Sequence, residues 1–210
     1  MSIQVDSIAL GIMYANCYIV TERETGTSLV IDPGECPEAL IGKLKELGIG
    51  SLSYILLTHG HFDHISGAKE LQSRFSGKIV VHQADKDYLK DSEKSLTNML
   101  PEPPEPFEAD LTVTDEEVLP FGKEEIRVIH TPGHTPGSVC FLIGSCLFSG
   151  DTLFKMSFGR TDLPGGSLKD MVRSMQKLRN LPGDFQVYPG HDCSTTLDYE
   201  RHNNPIMREF

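Results

Sequence analysis

Hydrophobic positions change period several times along the chain, and each change marks an element. Ile3–Leu10 and Cys17–Thr21 read as extended, and Ser28–Asp32 is a short strand closing on the turn Asp32-Pro33-Gly34. From Pro37 to Leu47 the apolar residues Ala39, Leu40, Leu44 and Leu47 fall at helical spacing, with Pro37 suited to the first turn and Gly48 to the stop. Ser53–Thr58 is nearly continuous in apolar residues, the pattern of a strand buried on both faces. A helix over Ser66–Phe75 and a strand over Lys78–His82 follow.

Pro101–Asp110 holds four prolines and four carboxylates, which excludes a helix or a central strand and predicts a surface loop. Strands then resume at Leu111–Val113, Ile126–His130, Ser138–Ile143 and Cys146–Ser149. Ser167–Leu181 reads as a helix with one apolar stripe of Leu168, Met171, Val172, Met175 and Leu178. Gln186–Tyr188 is a last strand and Leu197–His202 a last short helix. Strands with interspersed helices predict an α/β sandwich of layers, and the 210 residues suit one domain spanning 1–210.

Charge and composition remove several function classes. The chain carries 19 Lys and Arg against 30 Asp and Glu, a formal net charge of −11. Binding to nucleic-acid phosphates or to anionic lipid depends on clustered cations, so neither a nucleic acid nor a membrane is expected as partner. Apolar runs reach only about five residues, far short of the ~20 a membrane helix needs. No basic and apolar leader opens the chain, which makes the cytoplasm the expected address. Cys17, Cys36, Cys140, Cys146 and Cys193 are scattered without a CxxC, as expected of reduced thiols.

One segment changes the picture. Directly after the strand ending at Thr58 the sequence reads His59-Gly60-His61-Phe62-Asp63-His64. Three imidazoles and a carboxylate crowded beside an apolar strand would repel one another if protonated. A metal resolves this, because neutral imidazole and carboxylate are preferred ligands of Zn²⁺. In an extended segment residues two apart point the same way, so His59 and His61 are placed to share one ion, with Asp63 and His64 displaced toward a second. Three later loops repeat one grammar, a strand ending in Gly before a ligand-type residue: Gly133-His134, Gly150-Asp151 and Gly190-His191. Together they supply five histidines and two aspartates, a number that fits a two-metal site. His82, His130 and His202 read as structural, and Cys193 as a bystander.

These motifs, in this order and with the Asp32-Pro33-Gly34 turn, resemble the metallo-β-lactamase fold hydrolases over nearly the whole chain. The resemblance implies a four-layer αβ/βα sandwich. It implies one metal on His59, His61 and His134, another on Asp63, His64 and His191, and Asp151 bridging both. The run Phe158–Gly166 and the ending Thr195-Thr196, Glu200 and Asn203-Asn204-Pro205 are similar to the glyoxalase II-like branch, in a short form without its C-terminal helical region. The expected activity is then cleavage of a small acyl-thiol such as S-D-lactoylglutathione by a hydroxide bridging two divalent ions, zinc by preference and iron or manganese as alternatives. Asp63 and Asp151 are the expected catalytic carboxylates. Arg160, and less directly Lys155, are the expected substrate contacts, Arg160 matching a basic residue that holds the glutathione carboxylate in that branch. The same residues leave open a persulfide dioxygenase with one iron, which needs only two His and a carboxylate. Lactone and β-lactam hydrolases on this scaffold stay open too.

Overall fold

The computed structural model describes residues 2–209. Its first half builds one six-stranded sheet from β1 (Ile3–Leu10), β2 (Ala15–Glu22), β3 (Ser28–Ile31), β4 (Tyr54–Leu56), β5 (Lys78–His82) and β6 (Leu111–Val113), in that spatial order. The first three strands are antiparallel and the last three continue in parallel from β3. Parallel pairing needs crossovers, and α1 (Glu38–Glu46) and α3 (Ala68–Phe75) supply two of them. Between β4 and α3 lies a one-turn helix, α2 (Phe62–Ile65). Pro37 is the residue before α1, and Gly48 follows it at φ +72°.

The second half builds a matching sheet. It comprises β7 (Val118–Phe121), β8 (Glu124–His130), β9 (Val139–Ile143), β10 (Cys146–Gly150), β13 (Gln186–Pro189) and β14 (Thr195–Thr196), in the spatial order β14-β13-β10-β9-β8-β7. A small hairpin of β11 (Leu153–Phe154) and β12 (Ser157–Phe158) stands apart. α4 (Leu168–Arg179), α5 (Leu197–Asn203) and α6 (Pro205–Glu209) complete the chain. Ser167 caps α4 by accepting a hydrogen bond from the Asp170 N–H. Its buried face is Met171, Ser174, Met175 and Leu178; Leu168, expected in that stripe, is exposed in the first turn.

Three separate apolar clusters prove the layer order. Leu40, Leu44, Leu71 and Phe75 pack on Val30, Ile55 and Ile79, joining α1 and α3 to the outer face of the first sheet. Leu29, Ile31, Leu56 and Val80 meet Phe121, Val128, Phe141 and Phe148 between the two sheets. Met171, Met175, Leu178, Leu197 and Met207 pack on Ile129, Cys140 and Leu147, joining α4, α5 and α6 to the outer face of the second sheet. The molecule is the expected αββα sandwich. Ile55, Leu56 and Leu57 are fully buried because both sides of β4 are covered. All five cysteines are free, and Cys17, Cys140 and Cys146 are buried. No helix among the described residues is long and apolar enough to cross a membrane.

Candidate active site

The candidate ligands sit on loops after strand ends of both sheets. His59 and His61 follow β4; His61 is still extended (φ −79°, ψ 151°), and the α2 turn then swings Asp63 and His64 back toward them. Extended backbone was expected for His59 and His61, and the helical turn begins just past them at Phe62. His134 follows β8, Asp151 follows β10 and His191 follows β13. The structure brings all seven together. The His59 ring centroid lies 4.2 Å from that of His64, 4.7 Å from His134 and 4.9 Å from His61, while His64 and His191 are 5.3 Å apart.

Two glycines explain the loop grammar differently. Gly150 has φ +47°, a left-handed backbone that turns the chain at the end of β10. Gly190 is needed for closeness: a Cβ there would lie 2.1 Å from Asp151 Oδ1 and 2.9 Å from His64 Cε1.

His59, His64 and His134 each have one nitrogen fixed by a neighbour, and His61 Nδ1 lies 2.8 Å from His134 Nε2. His64 Nδ1 pairs with Asp32 Oδ2 at 2.9 Å, and His134 Nδ1 donates to the Arg160 carbonyl at 2.7 Å. The Thr58 hydroxyl donates to Asp32 at 2.6 Å, which leaves its oxygen to accept from His59 Nδ1 at 3.1 Å. The opposite atoms, Nε2 of His59, His61 and His64 together with Asp151 Oδ1, are buried without a partner. A buried unmade hydrogen bond costs ~1–3 kcal/mol, so four in one place are stable only if something else satisfies them.

The spacing says what that is. Ligand atoms from three trios lie within 4.8 Å of one another: His59, His61 and His134; His59, His64 and Asp151; Asp63, His64 and His191. The Asp151 carboxylate is 3.5 Å from His134 Nε2, 3.5 Å from His64 Nε2 and 3.6 Å from His191 Nε2. Asp63 Oδ2 is 3.3 Å from His191 Nε2 and 3.7 Å from His64 Nε2. Most of these separations exceed an ordinary hydrogen bond, and two atoms ~2.0–2.2 Å from one tetrahedral cation lie about 3.4 Å apart. The donor set fits divalent metal.

Titration follows the same division. Burial, then the neighbouring imidazoles, push His59 far below the ordinary histidine value; burial, then His134, bring His61 to about 3. Burial pulls His64 down too, but the carboxylates of Asp63, Asp151 and Asp32 outweigh it and hold the ring at about 10. For Asp63, burial raises the carboxyl, yet His64 and His191 bring it well below its ordinary value.

Two buried carboxylates that sequence reasoning did not assign support the ligands. Asp32 (φ +52°) accepts from the Thr58 N–H at 2.8 Å as well as from Thr58 Oγ1 and His64. Asp85 accepts from the Gly60 N–H at 2.9 Å, Thr135 Oγ1 at 2.6 Å and the Gly137 N–H at 2.6 Å, tying the His59–His61 loop to the loop around His134. The first was visible only as the Asp-Pro-Gly turn; the second has no local signature. Glu200, noted only within its motif, is buried and accepts from Thr195 Oγ1, the Met156 N–H and Asn204 Nδ2, anchoring the β11–β12 hairpin.

A metallo-β-lactamase superfamily profile matches residues 10–191. The chain belongs to that superfamily. It is 34% identical over 85% of its length to a probable polyketide biosynthesis zinc-dependent hydrolase, BaeB, of Bacillus velezensis, covering 74% of that protein. It is 33% identical to the hydroxyacylglutathione hydrolase GloC of Haemophilus influenzae, over 91% of this chain and 92% of that one. Among solved structures, the BLEG-1 B3 metallo-β-lactamase is 35% identical with a TM-score of 0.89, covering 98% of this chain and all of that one. TTHA1623 in a di-iron-bound form is 34% identical with a TM-score of 0.82, covering 96% and 99%. The chain is thus a metal-dependent hydrolase of the metallo-β-lactamase superfamily.

A cavity of about 440 Å³ opens over the cluster of this superfamily member. Arg160 lines it, but its guanidinium is engaged two-pronged by Asp162, Nε–Oδ1 and Nη2–Oδ2 both at 2.8 Å. Lys155 is not among the lining residues; its ammonium sits 5.9 Å over the Tyr199 ring. His82 and His130 stack on each other at 3.9 Å away from the cavity, and His202 is exposed beside Asp198.

Proposed function

We propose that this superfamily member hydrolyses thioesters at a centre of two divalent cations. One would be held by His59, His61 and His134, the other by Asp63, His64 and His191, with Asp151 between them; zinc suits these donors, and iron or manganese satisfy them as well. The observation that carries this reading is the Asp151 carboxylate, within 3.6 Å of imidazoles from both trios, its own Oδ1 and the Nε2 atoms of His59, His61 and His64 being buried without a partner among the described residues. Bound there, the cations would lower the pKa of a shared water and polarise the acyl carbonyl.

The chain's own groups favour a thioester over an amide or an ester. Water oxygen joins the acyl carbon, the C–S bond breaks with its electron pair on sulfur, one water proton ends on the thiol and the other passes to solvent, and a carboxylate and a thiol leave. A thiolate departs without a strong acid. Outside the ligand cluster the cavity offers none, since its one other polar residue is Arg160, which keeps its proton. Asp63, kept ionised, accepts a hydrogen bond from the attacking water and orients it. A relative named as a hydroxyacylglutathione hydrolase supports the same chemistry. The five free thiols suit a reducing compartment such as the cytoplasm.

Metal content per chain, measured with a thioester assay on S-D-lactoylglutathione and on simple acyl thioesters, tests the proposal. Close to two metals with thioester turnover is expected. One iron per chain, no thioester turnover and oxygen uptake with glutathione persulfide would overturn it.

A further inference from the structure

Resting on the thioester reading above, we infer that the cavity over the ligand cluster is an acyl pocket selecting thioesters with an apolar acyl group on an uncharged thiol portion. Apart from the five ligand residues and Arg160, every lining residue is apolar. The walls are Phe62 and Phe154 near the floor, and Ile12, Met13, Met99 and Leu100 toward the mouth. Ile12 comes from the β1–β2 turn and Met99 from the short turn Thr97–Met99, two separate loops that both line the cavity. Both are 70% exposed, and Met13 is 52% exposed. Large aliphatic side chains that ring a cleft in open water gain free energy when an apolar ligand covers them. The volume is within the range of small-molecule pockets, and its floor is the cluster itself, so a group lodged between these walls presents its carbonyl to the reacting centre.

The side-chain charges disfavour an anionic thiol portion. Among the described residues Arg160 is the one cationic side chain lining the cavity, and Asp162 already engages its Nε and Nη2. A ligand carboxylate competes with that partner for the guanidinium. The adjoining groove of about 520 Å³ shares Ile12, Phe62 and Leu100 with the cavity, and is lined by Glu35, Glu70 and Glu102. A thiol with two carboxylates meets repulsion on that side and, among the described residues, no unpaired cationic side chain on the other.

The experiment compares acetyl, butyryl, hexanoyl and octanoyl thioesters of N-acetylcysteamine with the same acyl series on glutathione, using metal-loaded protein. Burying a methylene is worth about fourfold in kcat/KM, so we expect a rise of about threefold to fourfold per methylene until the pocket is filled. The neutral thiol series should be the better one at every length. Asp162→Asn, which frees the Arg160 fork, should raise the glutathione-to-neutral ratio severalfold. Ile12→Ser and Met99→Gln, at exposed positions that do not threaten folding, should lower the octanoyl-to-acetyl ratio.

A flat chain-length profile, or a wild type that already prefers glutathione thioesters, would overturn the inference and leave the thioester reading standing. Hydrolysis of no thioester at all would sink that reading instead. Calorimetric titration with S-alkyl thioethers of N-acetylcysteamine, which cannot be hydrolysed, then decides the pocket: affinity rising with alkyl length supports an apolar ligand site, and no dependence removes it. Sedimentation of wild type and Ile12→Ser closes the remaining route. A dimer that dissociates in the variant makes the apolar rim a contact between copies of this chain and overturns the inference.

Discussion

A histidine that ligates a cation through Nε2 cannot keep a proton there. His64 holds one in the metal-free protein, because the carboxylates of Asp63, Asp151 and Asp32 overcome its burial and hold the ring at about 10. Metal uptake at pH 7.5 must therefore expel a proton. Zinc titrations in buffers of different ionisation enthalpy should show release of about one proton or more per chain; buffer-independent heats would contradict the charge state assigned to His64. His59→Ala removes a donor to one cation and Asp151→Ala the carboxylate between the two, and metal analysis should find both variants depleted with most activity gone. Gly190→Ala tests closeness alone. Its added Cβ would lie 2.1 Å from Asp151 Oδ1, so it should cut metal affinity by at least about tenfold while every ligand side chain remains, a scale typical of disturbed ligand support.

Between elements, the most consequential link is Asp85. It joins the loop after β4 to the loop after β8 through the Gly60 N–H, Thr135 Oγ1 and the Gly137 N–H. Asp85→Ala strands three buried donors, and at ~1–3 kcal/mol each the expected loss is about 3 kcal/mol or more, read as a lowered denaturation midpoint. Asp85→Asn keeps an acceptor and should lose less. Equal losses in the two variants would show that the hydrogen bonds are not what holds the loops. Asp85 also marks the limit of what the sequence discloses. The seven candidate ligands, which the structure gathers in one place, were legible because their residue types cluster or follow Gly at strand ends, and β4, β5, β10, α1 and α4 because their periods are clean. Asp85 was not, since one acidic residue in a polar stretch acquires meaning only when a loop 50 residues away folds onto it. Strand β7 was hidden by Pro120, which an edge strand tolerates and a central one does not. The α2 turn was hidden by its own histidines, read for chemistry and not for backbone shape.

At the scale of the molecule, acid should unfold the metal-free protein in a defined window. His59, His61 and His82 all have folded values below the ordinary histidine range: His61 at about 3, and His82 at about 4 through burial and the His130 ring stacked on it. A group depressed on folding gives stability that is complete above its unfolded value, near 6.5, and is lost as pH falls toward the folded one. The denaturation midpoint should thus drop between about pH 6.5 and pH 4. His82→Gln, outside the ligand trios and the cavity lining, should make that drop shallower. An unchanged slope would remove His82 from the proton ledger.

The chain passes from the first sheet to the second once, between Val113 and Val118, so each sheet is a continuous stretch of sequence. The ligand cluster straddles that divide. His59, His61, Asp63 and His64 belong to the stretch that leaves the ribosome first, and Asp151 and His191 to the stretch that leaves last. Domains grow from the N-terminus at ~5–20 residues per second, so the early four ligands exist for roughly 6–26 seconds before His191 is added. During that interval the nascent chain offers a half-built chelate to whichever cation the cell supplies. Neither proposed set is complete at that stage, because one still lacks His134 and the other His191, so the identity of the ion becomes a matter of when loading happens as well as of which ligands do it.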